Sequence, residues 1–401
     1  MIRFLHTADW HLGIKYTKLG HSAQKAREVR IETAKKLMNI AKDNNVDFII
    51  IAGDLFDNND VDRRLVDIAV KIMGDAEPIP VYILPGNHDP LTRDSLYLNQ
   101  QWYSLDNTFI LKNNQPVEIP GINVTLYPCP VTQKQTRRDL TEWIKLINNN
   151  ISVGIAHGNL QIPGWVNEPN FPIDPERAEK SGLDYLALGE WHSLFKYKEK
   201  DNSFRAVYPG TPETTKFGEK NSGKAAIVKI EEHGAKPIVK EIDVGGLKWE
   251  EWVRDVSAIE DIKSIERELN NVKNREHRVV TLYVKGVIDP EGIDYLESID
   301  NQYSKEFLYF NLVQKELYLK PNLSKLKAII PEGAVFAKAC EAIESLMRCH
   351  PTLQEYTQIP AKDAQGILKD IGGISSAVKA SPEILQRALL LLYKMAKEAS
   401  K

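Results

Sequence analysis

The first 230 residues alternate short apolar runs with longer segments of helical period. Residues 2–5, 48–52, 81–84, 151–155 and 185–188 are too short for helices and too uniformly apolar for half-exposed strands, so they predict buried strands. Between them, residues 22–43 place Ala26, Ala34, Leu37 and Ala41 near helical spacing and predict a helix. Residues 61–73 predict a second, after the turn Asp57-Asn58-Asn59-Asp60, and residues 136–148 a third. The alternation predicts an α/β layered fold. Residues 122–127 alternate apolar and polar side chains, which predicts a second, partly exposed sheet.

Near Gly223 the pattern changes. Residues 225–230 and 238–244 read as strands around the turn Glu232-His233-Gly234-Ala235, a hairpin signal. Gly245-Gly246 reads as a joint, giving a first domain over residues 1–245. A helix at 259–272 and strands at 279–284 and 308–313 predict a small α+β domain over 246–323. Residues 324–401 read as a helical C-terminal region. Ser381-Pro382 is a helix start, with Ser as cap and Pro at the first helical position. The helix after it carries Ile384, Leu385, Ala388, Leu389, Leu391, Leu392 and Met395, a face wider than a free surface helix needs. Burial against residues 335–347 and docking of a partner both fit that face.

Composition adds boundaries rather than identity. The 401 residues are 42% hydrophobic and 27% charged, as in soluble proteins with room for two or three domains. A net charge of −3 makes no overall case for nucleic acid, so any such case is local. The apolar runs are far shorter than a membrane span, and residues 2–5 start a strand rather than a signal peptide, so a cytoplasmic protein without membrane attachment is expected. Cys129, Cys340 and Cys349 are too widely spaced for a zinc motif or a disulfide framework and read as small buried hydrophobes.

The chemistry lies where the apolar runs end. Five of them close on Asp9-Trp10-His11, Gly53-Asp54, Asn87-His88-Asp89, His157-Gly158 and Glu190-Trp191-His192. Asp9 and His11 are two apart, so on a strand both face one side and can share a metal. Asp54 can bridge two ions, and Asn87 offers a neutral oxygen. His157, Glu190 and His192 bring the candidates to seven. With Asp54 shared, each ion has four protein contacts, and mixed nitrogen and oxygen ligands around two ions suit hydrolysis of phosphate esters. His88 is the candidate to protonate the leaving oxygen, with Asp89 expected to orient it and raise its pKa. His6 is an odd number of residues from both Asp9 and His11 and is expected to face away. His21, His233, His277 and His350 stand alone in sequence.

Asp9-x-His11, Gly53-Asp54-x-x-Asp57, Gly86-Asn87-His88-Asp89, His157-Gly158 and Gly189-Glu190-x-His192 resemble the five motifs of the calcineurin-like metallophosphoesterases. Within that family, Thr7-Ala8-Asp9-Trp10-His11-Leu12-Gly13, Tyr208-Pro209-Gly210-Thr211-Pro212 and Phe217-Gly218-Glu219 are similar to the SbcD-type DNA repair nucleases. The resemblance implies a metallophosphoesterase β-sandwich flanked by helices, with a small α+β capping or DNA-binding domain and a helical tail. It implies that Asp9, His11, Asp54 and His192 hold one metal, that Asp54, Asn87, His157 and Glu190 hold the other, and that His88 is the catalytic histidine. It also implies manganese, or magnesium in its place, DNA as substrate cut by exonuclease and sometimes endonuclease action, a homodimer, and an SbcC-like coiled-coil ATPase partner.

One position departs from the pattern: the last motif usually reads Gly-His-x-His, and Glu190 replaces its first histidine. Asp9, Asp54 and Glu190 then set three negative charges against the four positive charges of two divalent ions, where a histidine would leave two. The harder carboxylate favours manganese or magnesium. Lys15, Lys18, Lys25, Arg27 and Arg30 follow the first motif and are the candidates for holding a phosphate backbone, with a solvated helix face as the plainer reading. Trp10, Trp165 and Trp191 lie near ligands in sequence and fit either wall packing or base stacking. Two other functions remain open at this stage: a phosphoesterase for small molecules or proteins, and a structural subunit with a weakened site that supports an ATPase on DNA.

Overall fold

The computed structural model describes residues 1–165 and 170–319, together with Ala339, Ala342, Ile343, Ser345, Leu346, Ile384, Leu385, Ala388 and Leu391. The chain divides into two compact units, Met1–Trp249 and Glu250–Lys401. The first runs β1 (Ile2–Thr7), α1 (Ala23–Asp43), β2 (Phe48–Ala52), α2 (Arg63–Gly74), β3 (Val81–Leu84), β4 (Thr108–Ile110), β5 (Val117–Glu118), β6 (Val124–Cys129), β7 (Ile151–His157), β8 (Asn159–Leu160), β9 (Pro172–Ile173), α3 (Arg177–Ser181), β10 (Tyr185–Gly189), β11 (Phe195–Lys196), β12 (Ala206–Tyr208), β13 (Lys224–Ile230) and β14 (Ile238–Asp243).

Two six-stranded sheets form, in the orders β14-β13-β1-β2-β3-β4 and β11-β12-β10-β7-β6-β5. Side chains alternate across each strand, so one strand serves two layers. Phe4, Phe48, Ile50 and Tyr82 point between the sheets and pack with Val153, Ile155, Tyr185 and Ala187 of the second sheet. Leu5, Ile49, Ile51 and Ile83 point the other way, onto Leu37 and Met38 of α1 and Val66 and Ile72 of α2. Leu186 and Leu188 face outward from the second sheet onto Ala178 of α3. The result is an α/β sandwich with helices on both outer faces, and each fully buried aliphatic side chain in it contributes about 1.5–3 kcal/mol relative to exposure.

Strand direction positions the site. β1 to β4 are parallel, and β6, β7, β10 and β12 are parallel. Within each sheet, therefore, the carboxyl ends of the motif-bearing strands share one rim. The two rims meet, because His157 at the end of β7 donates from Nδ1 to the carbonyl of Ala52 at the end of β2, at 2.9 Å.

Three sequence expectations need correction. Residues 136–148 form turns rather than a helix. Asp139 explains this: its carboxylate accepts from the backbone of Thr141 and Asp174 and from Arg177, a local network that competes with helical bonding. Residues 122–127, expected to lie in a partly exposed sheet, begin with half-buried Ile122 and exposed Asn123, but β6, which starts at Val124, is buried at every position. Its polar Thr125 bonds to Asn148 and Asn150, so the alternation marks a satisfied polar contact and not a wet face. The third correction is a helix that the residue pattern did not predict, α5, in the second unit.

β15 (Lys248–Val256) runs across the boundary into that unit, followed by α4 (Ile259–Asn271), β16 (Arg278–Ile288), α5 (Pro290–Glu306) and β17 (Tyr309–Leu319). Its sheet has the order β15-β16-β17. β16 and β17 are parallel, which requires a crossover, and α5 supplies it. Ile293, Leu296, Ile299 and Tyr303 of α5 and Ile262, Ile265 and Leu269 of α4 cover Val280, Leu282 and Val284. Leu385 is buried in this same core, with Ile343 and Leu346 packed against it, whereas Ile384 and Leu391 are exposed. The rest of residues 324–401, expected to be helical and to offer a docking face, lies outside the described residues. Among the described residues no helix is long and apolar enough to cross a membrane.

Candidate metal centre

The ligand candidates sit at or just after the ends of their strands, and the backbone is strained at four of them. Asp9, His11, Asp54 and Glu190 have φ of 55°, 42°, 52° and 104°, in a region that side-chain-bearing residues rarely occupy. Such strain persists where surrounding bonds over-determine it. The turns after β1 and β2 are zipped together: Asp9 N donates to Gly53 O at 3.1 Å, His11 N to Asp54 O at 3.0 Å and Leu12 N to Leu55 O at 2.9 Å. The Asp9 carboxylate accepts from Glu190 N at 3.0 Å, tying the first motif to the last.

Glycine is required where these turns touch. At Gly53, φ is 95°, and a Cβ would lie 2.1 Å from His157 Nδ1. At Gly86 a Cβ would lie 2.1 Å from Asp54 Oδ1. Gly53→Ala is therefore expected to lower the unfolding free energy by about 2–4 kcal/mol, combining the positive-φ penalty with overpacking against His157. Urea unfolding of the metal-free protein checks this; a loss under about 0.5 kcal/mol would mean that His157 moves aside freely.

All seven candidates converge. His11 Nε2 lies 3.0 Å from His192 Nε2. His157 Nε2 lies 3.1 Å from Asn87 Oδ1, 3.3 Å from Asp54 Oδ2 and 3.2 Å from Glu190 Oε2. One ligand atom from each of Asp9, His11 and His192 falls within 4.8 Å of the others, and the same holds for Asp9, Asp54 and His157, and for His11, Asp57 and His88. The partners fix the tautomers. Ala52 O and the Glu219 carboxylate can only accept, so His157 and His192 carry hydrogen on Nδ1 and turn Nε2 inward.

Charge in the cluster is unbalanced without a cation. Burial raises the Asp9 carboxyl to about 6, with Asp54 and Glu190 adding to the effect against His157 and His192. Burial would raise Asp54 too, but His157, His11 and His88 hold it well below the usual carboxylate range. Burial lowers His11 to about 4. Burial works against the His157 cation as well, yet Asp54 and Glu190 push its pKa well above the ordinary value, so imidazolium is favoured among these oxygens. A proton there balances charge that a metal would balance, and a bound metal would take its place. Glu190 Oε2 and His11 Nδ1 are buried without a hydrogen-bond partner. The Glu190 oxygen, 3.2 Å from His157 Nε2 among converging carboxylates and imidazoles, gives a donor set of oxygen and nitrogen that fits divalent cations.

The two proposed catalytic residues behave differently. His88 is exposed at the rim, its ring centroid 4.7 Å from that of His11. Its Nδ1 donates to the Asp57 carbonyl at 2.9 Å, and its backbone N to Asp54 Oδ1 at 2.9 Å. Asp89, expected to orient His88, instead accepts from Gly86 N, Phe56 N and the Tyr97 hydroxyl. It is fully buried and pins the turn, and burial raises its carboxyl to about 6. Asp57 takes over the orienting task through its backbone.

The basic residues separate in the same way. Arg30 is 2% exposed and donates to the carbonyls of Trp10, Glu213 and Thr214 and to the Tyr16 hydroxyl, so it braces the turn and is closed to phosphate. Lys15 and Lys18 are exposed, and Lys25 pairs with Glu28 at 3.7 Å. Lys15 and Arg27 line a hollow of about 570 Å³ beside Gly13 that also carries Glu28, Asp60 and Asp62. Trp10 is buried and donates to Thr7 Oγ1. Trp165 stacks on Trp191 at 4.8 Å, and both are half-buried. His6 meets the Tyr185 hydroxyl at 3.0 Å inside the sandwich, where burial lowers its pKa to about 3. His233, alone in sequence, contacts Asp184 at 2.8 Å.

Residues 2–202 match the family model described as calcineurin-like phosphoesterase. The chain is 26% identical over 251 residues to the SbcD component of the nuclease SbcCD of Staphylococcus epidermidis, covering 56% of this chain and 64% of that protein. It is 25% identical over 281 residues to DNA double-strand break repair protein Mre11 of Methanopyrus kandleri, covering 65% of this chain and 59% of that protein. It thus spans less than two thirds of either curated relative. A crystal structure of TT1561 of Thermus thermophilus aligns with 61% of this chain and 99% of that one, at a TM-score of 0.40 and 12% identity.

Proposed function

Since the chain belongs to the calcineurin-like phosphoesterase family, we propose that it is a metal-dependent DNA nuclease acting in DNA repair or end processing. The observation that carries this reading is the convergence of seven oxygen- and nitrogen-bearing side chains from five strand ends. DNA as the substrate is supported by the names of the two curated relatives and by the Tyr208 to Glu219 segment. An SbcC-like ATPase partner is supported by the name of the first relative, which is one component of a nuclease called SbcCD.

Asp9, His11, Asp54 and His192 would hold one cation, and Asp54, Asn87, His157 and Glu190 the other. Two divalent cations bound there supply Lewis acidity toward a phosphoryl group and acidify water near neutral pH. The protein supplies the rest. Its strained turns hold the ligands before substrate arrives. His88, oriented through Nδ1 by the Asp57 carbonyl, presents Nε2 as the ring atom that gives a proton to the leaving oxygen. The attacking water gives up a proton to solvent as its oxygen bonds to phosphorus, the ester bond to the leaving oxygen breaks, and that oxygen takes the proton from His88 Nε2.

The test is incubation with linear double-stranded DNA, circular single-stranded DNA and a chromogenic phosphodiester, with manganese and with chelator. DNA loss only with manganese is expected. Chromogenic turnover without DNA cleavage would instead mark a small-substrate phosphoesterase. Glu190 tunes the choice of ion. Glu190→His is expected to raise zinc-supported activity relative to manganese-supported activity by on the order of tenfold. An unchanged ratio would remove Glu190 as the determinant.

A further inference from the structure

The loop after β12 braces one half of the centre and not the other. Glu219 is only 6% exposed, and its Oε1 accepts from His192 Nδ1 at 2.6 Å. The carboxylate is itself aimed by the Thr215 hydroxyl at 2.5 Å and by Thr215 N at 2.7 Å. Earlier in the same loop, Glu213 accepts from Thr33, Gly246 N and Leu247 N, which fixes the loop to α1 and to the chain beyond β14. Thr211 donates from Oγ1 to the Asp9 carbonyl at 2.8 Å and from N to the His192 carbonyl at 3.0 Å. One loop thus grips both Asp9 and His192.

The imidazoles are braced unequally. His192 bonds to a carboxylate at 2.6 Å, and His11, on the same side, faces Asp57 Oδ1 at 3.6 Å, beyond a hydrogen bond. His157, on the other side, bonds to a neutral backbone carbonyl. A carboxylate behind an imidazole fixes its tautomer and orientation and makes the inward nitrogen a better donor to a cation.

We propose that Glu219 is a positioning residue that holds His192 Nε2 toward Asp9 and His11, and that it makes this half of the centre the tighter of the two cation positions. The proposal rests on the cluster being a metal centre and does not depend on DNA as substrate.

The experiment is a titration of the metal-free full chain with Mn2+, followed by calorimetry and by the electron paramagnetic resonance of free Mn2+. Wild type is expected to bind two ions with unequal affinity. Glu219→Gln keeps the shape of the side chain and removes its charge, and it is expected to weaken the tighter position by about 10–100-fold while leaving the weaker one unchanged. In a His192→Ala background the same substitution should have no further effect, because Glu219 acts through that ring. A residue that merely holds the loop would lower the melting temperature without selective loss at one position. Equal weakening of both positions, unchanged binding, or an undiminished effect in the His192→Ala background each overturns the proposal. Should Glu219→Gln not fold, Thr215→Val removes the hydroxyl that aims Oε1, and selective weakening supports the proposal while unchanged binding overturns it. Wild type that binds no second Mn2+ removes the two-cation reading itself, whereas two-position binding indifferent to Glu219 removes only this inference.

Discussion

Asp54→Asn is expected to abolish metal-dependent phosphodiester cleavage, by about 10³-fold or more, while leaving the fold intact. Asp54 is 2% exposed, and its Oδ2 sits 3.3 Å from His157 Nε2 and 3.8 Å from His11 Nε2, between the two halves of the cluster. Its Oδ1 accepts from His88 N. Asparagine keeps that acceptor, so the turn survives. It replaces the inward oxygen with an amide that carries two hydrogens and no charge, in the position both cations would share. Lewis-acid stabilisation is worth several kcal/mol, and about 4 kcal/mol corresponds to 10³ in rate. Steady-state cleavage of linear DNA with manganese, together with circular dichroism, measures both parts. Activity within tenfold of wild type would mean that Asp54 does not bridge.

His88→Gln should separate chemistry from metal binding. The ring is exposed and bonds at the rim to the Asp57 carbonyl rather than into the buried ligand cluster, so Mn2+ affinity and melting temperature should stay near wild type. Loss of a positioned proton donor costs on the order of 10²–10⁴ in rate. The loss should be large on DNA, whose leaving oxygen needs a proton, and much smaller on a chromogenic phosphodiester whose leaving group departs as a stable anion. Equal losses on the two substrates would point to a role other than proton donation. So would loss of metal, which would place His88 with His11 and Asp57 in the third convergent group of the rim.

The strand runs and the seven residues that converge were legible in the sequence for one reason. Buried parallel strands exclude polar residues along their length, so Asp, His and Asn at their ends stand out. The parallel order then aligns those ends on one rim. The supporting residues were harder to read, because support is defined by contact and not by spacing. Asp89 sits beside His88 in sequence, yet it points inward to Tyr97 and the backbone of Gly86 and Phe56. Arg30 belongs to a run of basic residues on α1, and only the returning loop at Glu213 and Thr214 shows that it is buried. Glu219 lies 27 residues from His192 and could be singled out only through its motif-like neighbours Phe217 and Gly218. The false helix at 136–148 and the full burial of β6 share a cause. Asp139 and Thr125 are polar residues satisfied by specific bonds, and a pattern of polarity does not record bonds.

The central claim is that five strand ends build one centre for two cations. Crystals grown with manganese and measured at its absorption edge test it most directly. The account predicts two anomalous peaks, one among Asp9, His11 and His192 and one among Asn87, His157 and Glu190, with Asp54 touching both. A single peak, or peaks away from these residues, would contradict it.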